Sequence, residues 1–311
     1  MTETLHALLK NAVEKNKVPG ILFSGGLDTS ILAGILCSVS EPSGVHAVSV
    51  SFLSDGEDQH YAKELAGILR MHHVHKTVGV DEAINAIPKV IKTLVSFDPG
   101  IPNDLAAYFG LKTLSDMDVP SVMTGDGSDE IFGGYDYMKD IDNLSAYIQN
   151  MTRHMSFSSN ALASDLGIDI RQPFLDEDLL SFALDIPDSL RIKEENGKVY
   201  GKWILRKAFE GFIPNKFIWQ DKRPLEAGSG MSSLRDIIAS MISDKKFSEK
   251  GREYTVKFRN KEHLYYYEIF RKEIGEIPSP RKGEKTCRGC GAGMENKRSH
   301  CKVCGWMENE L

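Results

Sequence analysis

Apolar side chains at Leu5, Leu8, Leu9, Ala12 and Val13 recur at intervals of three and four, which predicts an amphipathic helix over residues 4–15. Val18-Pro19-Gly20 ends it, and the apolar run Ile21-Leu22-Phe23 follows, halted by two glycines before helical spacing resumes over 29–38. HAVSVSF (46–52) is β-branched and bounded by turn residues, so it predicts a strand, as does HHVHKTVGV (72–80). Helices are predicted over 59–71, 81–95 and 104–117, and VPSVMTG (119–125) reads as a buried strand. Strands alternating with helices of this length imply an α/β fold, a parallel sheet with helices on both faces.

Beyond about residue 140 the strand signals fade, and LLSFAL, KWILRKAF and SLRDIIASMI read as helices. EIPSPRKGEK (276–285) combines two prolines, a glycine and several charges, the composition of a linker. The expected organisation is an α/β domain over 1–140, a helical part over 141–275, that linker, and a small module over 286–311. No window approaches the roughly 18 apolar residues of a membrane span, and the charged N-terminal segment has no signal-peptide core, so a cytoplasmic protein without membrane contact is expected.

The end of the chain alters this picture. Four of the five cysteines, Cys287, Cys290, Cys301 and Cys304, form two CxxC pairs ten residues apart. That spacing predicts a tetrahedral zinc site, structural because four thiolates close the coordination shell, and in a reducing compartment it outweighs disulfides. Cys37, in ILAGILCSV, is expected in the core. Net charge is −6, yet segment 281–305 carries seven Lys/Arg against two Glu. Arg288, Lys297, Arg298 and Lys302 with Trp306 suit contact with nucleic acid such as tRNA, while a protein partner, a homodimer contact or a cap on the core suits the same module.

Candidate chemistry gathers after two apolar runs. In ILFSGGLDTS (21–30) a glycine turn joins a strand to a helix, which presents backbone N–H groups and a positive helix end to an anion such as phosphate. Ser24, Thr29 and Ser30 add hydroxyls, and Asp28 could hold the magnesium that accompanies a polyphosphate. TGDGSDEIFGGYDY (124–137) places Asp126, Asp129 and Glu130 after the second run, a density of carboxylates that calls for divalent metal beside a nucleotide.

The first motif resembles the pyrophosphate loop of ATP pyrophosphatases, with Thr29 where serine is usual. The second resembles the synthetase domain of asparagine synthetases, as do Arg171-Gln172-Pro173-Phe174-Leu175-Asp176, LLSFALDIP and Lys202-Trp203-Ile204-Leu205-Arg206, in the same order. The resemblance implies an adenine nucleotide α-hydrolase-like sheet and an enzyme that uses ATP and Mg2+ to join a carboxylate to ammonia or another amine. Residue by residue it implies pyrophosphate on Ser24, Gly25, Gly26, Leu27 and Asp28, flanked by Thr29 and Ser30. It implies adenine near Val50 and Ser51, nucleotide against Gly125, and magnesium on Asp28 and Asp129. Lys222, Asp126 and Glu130 are the catalytic candidates, Glu130 also as a brace for its loop. RQPFLD is expected to join the two halves, and Lys202 and Arg206 to be packing residues.

Departures from the family pattern fall on the substrate side. Thr2 stands where glutamine-using members carry their catalytic cysteine, so no glutaminase part is expected. Asp126 replaces a glutamate, Gln220 an arginine, and Asn103 the arginine suited to a substrate carboxylate. Losing cationic clamps argues against a small dicarboxylate such as aspartate. Two other readings stand beside the amide ligase: a tRNA-modifying enzyme that adenylates a base and exchanges oxygen for nitrogen or sulfur, and a nucleotide-sensing regulator.

Overall fold

The computed structural model of the chain describes residues 1–53, 57–195, 197–221 and 225–308. Five parallel strands form the central sheet: β1 (Gly20–Leu22), β2 (His46–Phe52), β3 (His72–Val78), β4 (Ser121–Met123) and β5 (Asp169–Arg171), in the order β3-β2-β1-β4-β5. Helices α1 (Thr2–Lys15), α2 (Leu27–Val39), α3 (Glu57–Leu69), α4 (Val80–Leu94), α5 (Ile101–Asp116), α6 (Ser128–Phe132), α7 (Leu144–Thr152) and α8 (Ser158–Asp165) intervene. After β5 come α9 (Glu177–Leu184), α10 (Asp188–Arg191), a hairpin of β6 (Lys193–Glu195) and β7 (Lys198–Tyr200), then α11 (Trp203–Ala208) and α12 (Asn215–Ile218). The chain continues through α13 (Leu225–Gly228), α14 (Ser233–Ser240), α15 (Asp244–Glu253) and α16 (Lys261–Glu273) to a second hairpin, β8 (Glu284–Thr286) and β9 (Gly293–Glu295).

Alternate strand residues feed opposite cores, as a doubly covered sheet requires. Ile21, Ala47 and Met123 join one apolar layer with α1, α2 and the later helices α9, α11 and α12. Val48, Phe52, Val78 and Val122 join the other with α4, α5, α8, α14 and α16, and the four cysteines belong to that same layer. No helix among the described residues is long and apolar enough to cross a membrane.

Periodicity does not predict β5. It has three residues, two of them charged and exposed, with Arg171 paired to Asp169 at 2.6 Å. Charges of this kind blunt a sheet edge and erase the apolar signature of a strand. Pairing of Met123 with Arg171 brings the RQPFLD segment beside β4, which fits its expected role as a joint.

Arg191, at 0% exposure, ties the later helices to the segment that carries Asp129. Its guanidinium donates to the carbonyls of Ile131 (2.8 Å), Ala183 (2.9 Å), Leu184 (3.1 Å) and Ile186 (3.0 Å). Arg191→Met would take a donor from four carbonyls, of which Ala183 O keeps the Ile186 N–H, and a loss of about 3 kcal/mol is expected. An unchanged urea midpoint would show that these bonds do not hold the two parts together.

Candidate active site

Ligands of an open parallel sheet bind outside the carboxyl ends of its strands, where the strand order reverses. Here that point lies between β1 and β4, and a cleft of about 890 Å³ opens there. Three walls enclose it.

The first wall is the turn from β1 into α2. Gly25 adopts φ +77°, and a Cβ on it would lie 2.6 Å from the backbone nitrogen of Ala62 in α3, so only glycine fits the bend. The Gly26 N–H donates to Ser24 Oγ at 3.2 Å, and Ser24 and Thr29 share a 3.1 Å hydroxyl contact. Ser24, Gly26, Leu27, Asp28 and Thr29 line the cleft at the N-terminus of the 13-residue α2, where amides and dipole favour an anion. Ser30 instead donates back to the Gly25 carbonyl at 3.1 Å and is fully buried, so it shapes the turn from behind.

The second wall joins the loop after β4 to the start of α11. Lys202 Nζ lies 2.5 Å from Asp28 Oδ2 and 2.8 Å from Asp129 Oδ1, and Ser128 donates to Asp28 Oδ1 at 2.7 Å. The sequence suggests packing for Lys202; its actual place is between the two expected magnesium ligands, 4% exposed. Burial works against its charge, but the Asp129 and Asp28 carboxylates outweigh burial and hold the ammonium above its ordinary pKa. It reaches that point from a left-handed backbone, φ 54°, which costs a non-glycine residue roughly 1 kcal/mol. Gly134 makes room: a Cβ there would lie 1.9 Å from Asp129 Oδ1 and 2.2 Å from Lys202 Cε. Two carboxylates that already converge on one cation offer the hard oxygen ligands that magnesium takes, so the residues fit that metal.

Arg206 does pack, donating to the carbonyls of Gly201 (3.1 Å), Ile218 and Gln220 (3.0 Å). Gln220 donates in turn to the carbonyls of Gly25 and Phe217, both at 2.9 Å, so it buttresses the glycine turn. Gln220 and Asp221 line the cleft; Lys222, which follows them, lies outside the described residues. Glu130 does not line the cleft. It accepts a 2.6 Å bond from the hydroxyl of Tyr135, which does, so it braces its loop, and burial raises its carboxyl.

The third wall is formed by α5, the start of α8 and Asp126. Asp126 Oδ2 accepts from Thr124 Oγ1 (2.6 Å), Ser159 Oγ (2.6 Å) and Gln172 Nε2 (2.9 Å). Asn103, Asp104 and Ser158 stand beside it. Val50 and Gly125 reach the cleft, whereas Ser51 does not line it and its hydroxyl bonds His75 Nε2 on β3 at 2.8 Å. Neither Lys202 nor Asp104 stands out by periodicity, and a lysine opening a helix right after glycine is the one local hint of the former.

The four cysteines converge. Cys287 Sγ and Cys304 Sγ are 3.7 Å apart, Cys290 Sγ and Cys301 Sγ 3.9 Å, and all four are buried within 4.8 Å of one another. A tetrahedral zinc with bonds of ~2.3 Å needs sulfurs ~3.8 Å apart, so the cluster fits that metal. The knuckles match: Cys287 N–H donates to Ala292 O and Cys301 N–H to Trp306 O, both at 2.8 Å. The module is fastened to the loops behind the third wall. Phe97 N–H donates to Val303 O (2.7 Å), Ser96 Oγ to Lys302 O (2.7 Å), Arg298 to His154 O (2.6 Å), and His300 lies 3.0 Å from Asp98. Trp306 packs on the core with Lys257 over its ring, so the aromatic is turned inward.

The family model described as asparagine synthase matches residues 2–165 and 144–286. Asparagine synthetase (glutamine-hydrolyzing) 1 of Arabidopsis thaliana is 30% identical over 288 residues, covering 84% of this chain and 49% of that protein. A probable asparagine synthetase (glutamine-hydrolyzing) of Dictyostelium discoideum is 30% identical over 262 residues, covering 74% and 47%. One of Schizosaccharomyces pombe is 29% identical over 307 residues, covering 87% and 55%. The chain thus spans about half the length of the curated relatives it matches.

Proposed function

This chain belongs to the asparagine synthase family, and from that premise we propose that it is an ATP-dependent amide ligase releasing AMP and pyrophosphate. The observation that carries this is the meeting of Asp28, Asp129 and Lys202 beside the Ser24–Asp28 turn, a site with both anion donors and cation ligands. In the proposed reaction a carboxylate oxygen of the acceptor attacks the α-phosphorus and the bond to the α–β bridging oxygen breaks. The lone pair of ammonia or another amine then attacks the acyl carbon, loses a proton and displaces AMP.

The amides of the turn hold the β,γ end, and Lys202 neutralises charge gathering on the leaving pyrophosphate. Magnesium, held by Asp28 and Asp129, would supply charge neutralisation at the phosphates. Lys222 is proposed to stabilise charge at the α-phosphorus, from its place in the motif order. Cations that act on the transition state more than the ground state raise kcat rather than affinity. Lys222→Ala should therefore lower kcat by ~10²-fold or more while nucleotide Kd moves by less than ~3-fold. Equal losses in both would remove that role.

The test of the whole reading is a screen with ATP, magnesium, ammonium and single amino acids. AMP and pyrophosphate should appear in equal amounts with an amide product. ADP and phosphate, or no amide with any acceptor and amine, would overturn it. Bulk tRNA belongs in the same screen: stimulation by tRNA that vanishes when 281–311 are removed would favour the tRNA-modifying reading, to which the inward Trp306 lends no support.

A further inference from the structure

Among the described residues, the third wall carries a carboxylate without a counter-charge. Asp126 is satisfied by its three donors, but the electrostatic neighbours of Asp104 among the described residues are the Ser158 hydroxyl and the like-charged Asp98. The cations that line the cleft among the described residues are engaged elsewhere: Lys202 with Asp28 and Asp129, Lys198 with Asp221, Lys139 with Asp136, and Arg206 with backbone carbonyls. Asn103, one residue before, supplies no charge where the family resemblance implies an arginine. A second carboxylate brought to this wall would meet repulsion from Asp104 and find no free charge-assisted donor among the described residues.

We propose that Asp104 sets acceptor specificity, selecting a small carboxylate whose far end carries a protonated amine or guanidinium. This deepens the amide-ligase reading and rests on it for the place of the acceptor. An ammonium or guanidinium between Asp104 and Ser158 would make a charge-assisted bond in a partly buried pocket, where such bonds are strong. Burial pushes the Asp104 carboxyl up to about 7, against the Ser158 hydroxyl and aided by the Asp98 charge. In the free protein the group is thus short of the partner that would hold it ionised.

The test is calorimetry on the full zinc-loaded chain saturated with magnesium and a non-hydrolysable ATP analogue, titrated with L-lysine, L-arginine, L-aspartate and L-glutamate. A basic amino acid should bind at least ~10-fold more tightly than either acidic one. Asp104→Asn should remove most of that advantage while nucleotide Kd is unchanged. Asn103→Arg, which places a competing cation beside Asp104, should do the same and keeps the test open if the first variant does not fold. Tighter binding of the acidic amino acids, no saturable binding of lysine or arginine, or full affinity in both variants would each overturn the proposal. Binding through Asp104 with no AMP formed once ATP replaces the analogue would instead sink the ligase reading and leave Asp104 as the binding group for a cationic ligand.

Discussion

Lys202→Met should abolish most turnover, lowering kcat/KM for ATP by ~10³-fold, while the protein still folds. In the free protein the substitution leaves Asp28 and Asp129 facing one another with no cation between them. Breaking a buried pair in this way costs about 3–5 kcal/mol, so the melting temperature should fall. Magnesium added alone should then raise the melting temperature of Lys202→Met more than that of the native protein, because the divalent ion takes over the vacated role. Arginine should rescue poorly: Gly134 leaves room for a slim methylene chain, and a planar guanidinium is wider. Turnover within threefold of native, or no difference in the response to magnesium, would return Lys202 to a packing role.

The second large effect concerns the cysteines. Chelation, or Cys301→Ser, should unfold the terminal module, because structural zinc in small domains supplies apparent free energies of about 10–16 kcal/mol and a short ribbon has little else to fold it. The consequence should reach further than the module, since it shares an apolar layer with Phe97, Tyr266 and Phe270 and anchors Ser96, Phe97 and His154. Limited proteolysis should cut beyond residue 276 only in the chelated protein. Acceptor KM should rise while nucleotide Kd holds, because the first and second walls are tied down separately by Gln220 and Lys202. A chelated protein with native protease resistance would show that the module folds without metal.

The alternating half of the fold is legible from the chain. β2 is expected over 46–52 and found as His46–Phe52, because a doubly buried parallel strand must be apolar or β-branched nearly throughout. The turn between β1 and α2 is legible because Gly25 and Gly26 interrupt two apolar elements at once. The CxxC pairs are legible because metal geometry fixes their spacing. What escapes is whatever depends on distant partners. β5 is short and charged, and pairing to β4 alone makes it a strand. Lys202 and Asp28 are 174 positions apart, so no local pattern marks the lysine as part of the site. Gln220, a loss of charge when read along the chain, proves in space to be a strut under Gly25. Asp104 looks like an ordinary first-turn acid of α5, and only the company it keeps on the third wall marks it out.

The reversal of strand order between β1 and β4 has an outcome for how such a protein can diversify. Asp28 and Asp129 stand just beyond β1 and β4, whereas Asn103, Asp104 and Ser158 hang from helices whose preceding loops are pinned by the four-cysteine module. The proposed ATP chemistry and the proposed acceptor preference therefore rest on separate mounts. On the proposed reading, residues 96–104, the start of α8 and the four-cysteine module should transplant as one unit, changing acceptor preference without retuning the proposed ATP site.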